Sequence, residues 1–166
     1  SIYVENALGD SWLVENSSEP EVVEPSVETD ITVPQSAAAT QHVYVSEAEL
    51  SADGTQITMT LSYLADVANT TGVGFTANFD SSVLTVNEIS NLFFGAIASG
   101  TQSADDQYDD NDPDTDQALS FGWASLFGQF PGSTAVDLAT VTFDIAEGAP
   151  GMTGLNLVKT SAAAGY

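Results

Sequence analysis

Between Ile57 and Tyr63 apolar and polar residues alternate without a break: Ile57, Met59, Leu61 and Tyr63 are separated by Thr58, Thr60 and Ser62. Successive side chains on an extended strand point to opposite faces, so this spacing yields one buried and one wetter face only as a β-strand. The same period of two recurs at Val73, Phe75, Ala77 and Phe79, at Leu119, Phe121 and Trp123, and at Ala139, Val141, Phe143 and Ile145. Shorter candidates are residues 42–50, residues 83–86 and the pair Leu155 and Leu157. Turn signals separate them: Ala52-Asp53-Gly54, Asn69-Thr70-Thr71-Gly72, Asp80-Ser81-Ser82 and Glu147-Gly148-Ala149-Pro150-Gly151. Leu92-Phe93-Phe94 reads as a buried apolar knot, and residues 95–102 as a loop of small residues. No ten-residue stretch carries the apolar stripe of an amphipathic helix. The expectation is an all-β fold, an antiparallel β-sandwich of jelly-roll type.

At 166 residues with 43% hydrophobic content, the chain suits one domain with a sizeable core. Residues 41–166 hold the strand pattern, and residues 1–36 differ from them. Ser17-Ser18-Glu19-Pro20-Glu21-Val22-Val23-Glu24-Pro25 and its continuation repeat a Glu/Pro/Val/Ser theme, which predicts an extended acidic linker. Ahead of it, Ile2-Tyr3-Val4 and Trp12-Leu13-Val14 read as the end of a preceding domain, as strands docking on the main one, or as a strand donated to the open sheet edge of a neighbouring copy. The start at Ser1, without Met, reads as that of a piece of a larger exported protein.

The most concentrated chemistry lies in residues 105–116, where Asp105, Asp106, Asp109, Asp110, Asp112, Asp114 and Asp116 place seven carboxylates within twelve positions. Carboxylates this dense repel one another unless they stay solvated or share a cation. Fully charged oxygen ligands suit a hard divalent ion, so the expected cofactor is Ca²⁺. The plainer reading is a solvated acidic loop. A helix–loop–helix site does not fit. If Asp112, Asp114 and Asp116 supplied its first three ligands, Gln117 would stand where glycine is needed and Trp123 where the closing glutamate belongs. Any ion would therefore sit in a loop between strands.

The chain has a net charge of −23, with one Lys and no Arg, which excludes ordinary nucleic-acid binding and disfavours docking on an anionic membrane. No apolar run approaches the length of a transmembrane helix, and no membrane insertion is expected. Such a charge suits salt water, where repulsion is screened, and divalent cations outside cells relieve more of it. There is no cysteine, so no disulfide staples the fold. Catalysis has little to draw on. His42 is the sole histidine and Lys159 the sole lysine, neither within a nucleophile or metal motif, and the chain is read as a non-enzyme. Tyr108, Trp123, Phe127 and Phe130 lie near the acidic run in sequence, which makes a calcium-dependent carbohydrate site the rival expectation, with glycans as partners. Phe121 is read as core, while Phe127 and Phe130 flank glycines in a turn and are expected to be exposed.

The order of these pieces resembles the cohesin-like β-sandwich modules of bacterial extracellular proteins. The motifs that carry the resemblance are Gly72-Val73-Gly74-Phe75-Thr76-Ala77-Asn78-Phe79-Asp80-Ser81-Ser82-Val83-Leu84-Thr85-Val86 and Asp137-Leu138-Ala139-Thr140-Val141-Thr142-Phe143-Asp144-Ile145. The acidic run followed by Leu119-Ser120-Phe121-Gly122-Trp123-Ala124 and Phe130-Pro131-Gly132 looks like variants in large calcium-dependent surface adhesins. The resemblance implies a nine-stranded jelly-roll, an extracellular or bacterial cell-surface location, and binding without catalysis. The expected role is calcium-dependent attachment or assembly, with another protein or neighbouring copies of the chain as partner.

Overall fold

The computed structural model describes residues 2–5, 11–14, 40–94, 96–104 and 110–163. Twelve β-strands and no helix are found among them: β1 (Ile2–Glu5), β2 (Ser11–Val14), β3 (Gln41–Leu50), β4 (Gln56–Ala65), β5 (Asn69–Thr70), β6 (Gly72–Phe79), β7 (Leu84–Ser90), β8 (Ala96–Ala104), β9 (Gln117–Ala124), β10 (Phe130–Pro131), β11 (Val136–Ile145) and β12 (Met152–Ser161). One sheet runs β3-β4-β11-β7 and the other β2-β1-β12-β6-β9-β8, with β10 and β5 forming a small ribbon. Pairing is antiparallel except between β1 and β12.

The alternation in sequence becomes the inner faces of the two sheets. Ile57, Met59, Leu61 and Tyr63 of β4 are fully buried, as are Val73, Phe75, Ala77 and Phe79 of β6. Phe79 of one sheet meets Phe143 of the other with ring centroids 5.2 Å apart. Phe75, Phe121 and Trp123 stack side by side along the second sheet. Each large apolar side chain so buried contributes about 1.5–3 kcal/mol before entropy is counted. On β11 a bulge between Asp137 and Ala139 breaks strict alternation, and Leu138 and Ala139 are both buried.

Two expectations are corrected here. Residues 95–102 were expected as loop, yet residues 96–104 form β8, paired with β9 through two register shifts. The strands number twelve among the described residues rather than nine. Strand β1 pairs with β12 of the same chain and β2 with β1, which is the docking on the main domain that was one of the three readings of residues 2–4 and 12–14. The Glu/Pro stretch expected as a linker lies outside the described residues.

At one end of the sandwich a partly buried polar chain ties β3 to β4, β5, β6 and β10. Gln41 Nε2 donates to the Tyr63 hydroxyl (2.6 Å) and to the Gly72 carbonyl (2.8 Å), while Gln41 Oε1 accepts from the Ala163 amide (2.9 Å). The Thr70 hydroxyl donates to Pro131 O (3.3 Å), which leaves the Tyr63 hydroxyl as donor to Thr70 at 3.1 Å. Gly72 beside it has φ +130°, and a Cβ there would collide with the backbone oxygen of Trp123 on β9. Gly72→Ala is therefore expected to lower stability by about 3 kcal/mol or more, read as a lowered urea midpoint. An unchanged midpoint would mean that β6 and β9 do not approach this closely.

At the other end, the β3–β4 turn is held by Asp53, whose Oδ1 accepts from Ser51 Oγ (2.7 Å), Thr55 Oγ1 (2.8 Å) and Thr55 N (3.1 Å). These donors, the Ser51 hydroxyl first, lower the Asp53 pKa to about 2 from the usual 3.8. A carboxyl with a depressed folded pKa stabilises above its unfolded value and loses that contribution as pH falls through the folded one. The turn's contribution is thus expected to fade between 3.8 and about 2. An NMR titration of the Asp53 carboxyl checks this, and Ser51→Ala should move its midpoint upward.

Candidate functional site

The acidic segment enters the described structure at Asp110 and folds as a compact loop ahead of β9. The Asp112 amide donates to Asp110 Oδ1 (3.0 Å), the Asp114 amide to Asp112 Oδ1 (3.0 Å), and the Thr115 amide to Asp112 O (3.2 Å). Aspartate forms such turns readily because its side chain reaches the backbone two residues on. Asn111 between them adopts φ 60°, a left-handed conformation that Asn tolerates. Pro113 has no amide proton to satisfy.

Two buried residues draw the carboxylates together. Asn156, in the middle of β12, places its amide nitrogen 2.7 Å from Asp110 Oδ2 and 2.8 Å from Asp112 Oδ2. The Thr115 hydroxyl lies 2.9 and 3.0 Å from the two Asp110 oxygens, and it donates to one at a time. Asp110 and Asp112 thus converge on one amide, which supplies a proton to each. Asn156 stands opposite Asn78 in the β12–β6 register, and both are buried.

The two other described aspartates of the run, Asp114 and Asp116, do not join them. Asp116 faces the β6–β7 turn, accepting from the Ser81 amide and hydroxyl, each at 2.7 Å. Asp114 is exposed. Asp105, Asp106, Asp109 and Tyr108 lie outside the described residues. Among the described residues, no three or more His, Cys, Asp or Glu side chains form a group that could hold a metal ion. The expected ligand set of seven carboxylates is thereby reduced, within the described structure, to the Asp110–Asp112 pair. A hard cation still has oxygen donors to meet: the two carboxylates, the Thr115 hydroxyl and, with its amide turned over, the Asn156 carbonyl. Which way an amide points follows from what surrounds it, so a cation and the present hydrogen bonds are alternatives for the same side chain.

Among the described residues, the expected aromatic platform does not form beside this loop. An eight-residue strand spans about 26 Å, so the far end of β9 lies well away from the Asp run that precedes it. Trp123 is only 3% exposed, stacked on Phe75 and Phe121, and its indole N–H donates to Phe93 O (3.2 Å). Phe130 is buried as well, edge-on to Tyr63 at 5.2 Å and to Phe93 at 5.6 Å. Both are corrected from ligand-binding candidates to core residues: Trp123 continues the buried face of β9, and Phe130, expected to be exposed in a turn, is buried in the β10–β5 ribbon. Phe127 is exposed as expected, but at the end of the sandwich opposite Asp110 and Asp112.

His42 and Lys159 are both exposed, on β3 and β12 respectively. Lys159 sits at a pocket of about 130 Å³ that is also lined by Gln41, Val43, Val73, Phe75 and Leu157. Gln41 there is committed to the polar chain described above.

Asn156 escaped the sequence reading because the residues it binds lie 44 and 46 positions away. A signal existed: asparagine is disfavoured within strands, yet Asn156 sits between Leu155 and Leu157 and Asn78 between Ala77 and Phe79. No family model matches the chain, and neither do the curated proteins or the solved structures.

Proposed function

We propose that this chain is a non-catalytic, extracellular β-sandwich module that binds calcium at the Asp110–Asp112 loop and serves attachment or assembly in a bacterial surface adhesin or filament. The observation that carries the reading is the convergence of the Asp110 and Asp112 carboxylates on the buried Asn156 amide. Hydrogen bonds to one buried amide hold the two carboxylates together rather than leaving them to separate in water. A net charge of −23 with one lysine leaves little internal means of neutralising them. The cohesin-like motifs support the surface-module part of the reading, as does the all-β fold of two facing sheets. Calcium would stiffen the loop that joins β8 to β9 and tie it to β12 through Asn156. The carbohydrate alternative has less support, since Trp123 and Phe130 are buried and Phe127 is far from the loop.

The test is thermal unfolding with and without CaCl₂, with MgCl₂ as the control for charge screening. A ligand that binds only the folded form at about 100 times its Kd stabilises by about 2.7 kcal/mol. For a chain of this size that is a rise in Tm of about 5–10 °C, expected with Ca²⁺ and not with Mg²⁺. Equal shifts in the two salts, or none, would reduce the aspartates to a solvated loop.

A further inference from the structure

Four turns at one end of the sandwich carry acid. Asp53 lies between β3 and β4, Asp80 follows β6, residues 110–116 precede β9, and Asp144 and Glu147 close β11. The opposite end is built from residues 66–71, 91–94 and 125–132, which are bonded to one another and to the strands below. Ser125 N donates to Thr71 O (2.8 Å) and Ala65 N to Gly132 O (2.9 Å), while Phe93 packs on Phe130. Residues 67–72, 91–94 and 124–135 contain no charged side chain in a chain that has 24 acids. Here Phe94 is 97% exposed, Leu126 93% and Phe127 83%, with Val67 and Leu92 also exposed.

At about 200 Å² for each large side chain, those three leave roughly 500 Å² of apolar surface in water. That is near the upper limit for the largest patch on a monomer. Two copies meeting through this end would bury about 1,000 Å², the least that specific association needs. Charge favours the same partner. Copies with net charge −23 repel wherever their acids approach, and among the described residues this end carries no acid except Asp66 and Asp137 at its flank. Ten-residue strands are about 33 Å long, so end-to-end pairing holds the two acidic ends about 60 Å apart. The screening length in physiological salt is about 8 Å.

We propose that the uncharged end is a self-association surface through which two copies pair end to end, Phe94, Leu126 and Phe127 of each seated between the turns of the other. The inference names the partner in the assembly reading above and rests on that reading, while the contact itself uses no calcium. A two-fold pair of this kind is closed, and it presents the acidic loops at both outer ends.

Sedimentation equilibrium from about 1 µM to about 1 mM tests it. The wild-type chain is expected to dimerise reversibly, and more tightly in about 1 M NaCl than in about 0.15 M as repulsion is screened. The triple variant Phe94→Ser, Leu126→Ser, Phe127→Ser should weaken the dimer about 100-fold or more. Its Tm at concentrations where both are monomers should be unchanged, because the three side chains touch little of their own fold. A chain that stays monomeric throughout, or a dimer that survives the triple substitution, overturns the proposal. So does a monomer that floats with phosphatidylcholine vesicles through these residues, since that assigns the end to lipid. A calcium-specific Tm rise in a monomeric chain would sink self-pairing alone, and a dimer without that rise would sink the calcium reading alone.

Discussion

Replacing Phe143 with alanine is expected to lower stability by about 3–5 kcal/mol, a large part of the 5–15 kcal/mol that holds a typical domain together. Phe143 is buried on β11, the strand flanked by β4 and β7, opposite Ile57 in register and in ring contact with Phe79 across the sandwich. Neighbours fixed in two hydrogen-bonded sheets cannot collapse into the space a phenyl ring leaves, so the loss includes a cavity as well as transfer to water. Phe79→Ala should cost a similar amount, and the double variant less than the sum, with a coupling of about 0.5–1.5 kcal/mol. Urea unfolding of the four proteins measures it. A loss below about 2 kcal/mol for Phe143→Ala, or additivity of the pair, would mean that the two sheets do not meet through these rings.

The same residues show what could be read from the sequence and what could not. The period of two located β3, β4, β6, β9, β11 and β12, because their inner faces are large apolar side chains separated by small polar ones. It failed at β8, whose sequence Ala-Ile-Ala-Ser-Gly-Thr-Gln-Ser-Ala has one large apolar residue and pairs irregularly at the edge of its sheet. Such a strand is specified by its neighbour β9 rather than by its own pattern. A different inference failed at Trp123, where closeness in sequence to the Asp run suggested closeness in space. A strand carries its two ends to opposite poles, so that inference needs strand direction, which spacing alone does not give. That the described turns of one pole carry acid, while residues 67–72, 91–94 and 124–135 at the other carry none, was hidden for the same reason. The turns that make up each end are scattered from residue 51 to residue 151 and meet only once the strands are ordered. Asn156 was invisible because a contact across 44 residues leaves no local trace, although an asparagine flanked by leucines in a strand is a local contradiction that marks a position held by something else.

That position supports the sharpest test of the acidic loop. Asn156→Asp changes an NH₂ group to an oxygen and almost nothing in shape. It removes both donors that now reach Asp110 and Asp112 at 2.7 and 2.8 Å, and it adds a third carboxylate at the point where two already converge. Without a divalent ion, the third carboxylate repels the other two and drives the cluster open. The variant is expected to be about 2–4 kcal/mol less stable than the wild type at pH 7, a fall of roughly 5–15 °C in Tm. Three carboxylates are also a better cage for a hard cation than two carboxylates and an amide. Saturating CaCl₂ should therefore restore the variant's Tm to the wild-type value or beyond, and its Ca²⁺-induced rise should exceed the wild type's. Asn156→Leu supplies no oxygen and should lose a similar amount of stability with no recovery in calcium. If Asn156→Asp remains equally destabilised in CaCl₂, MgCl₂ and NaCl, Asn156 is a hydrogen-bond post for two aspartates and nothing more. Recovery in calcium alone would place the ion between β12 and the loop before β9, because Asn156 is the residue of β12 that bonds both aspartates.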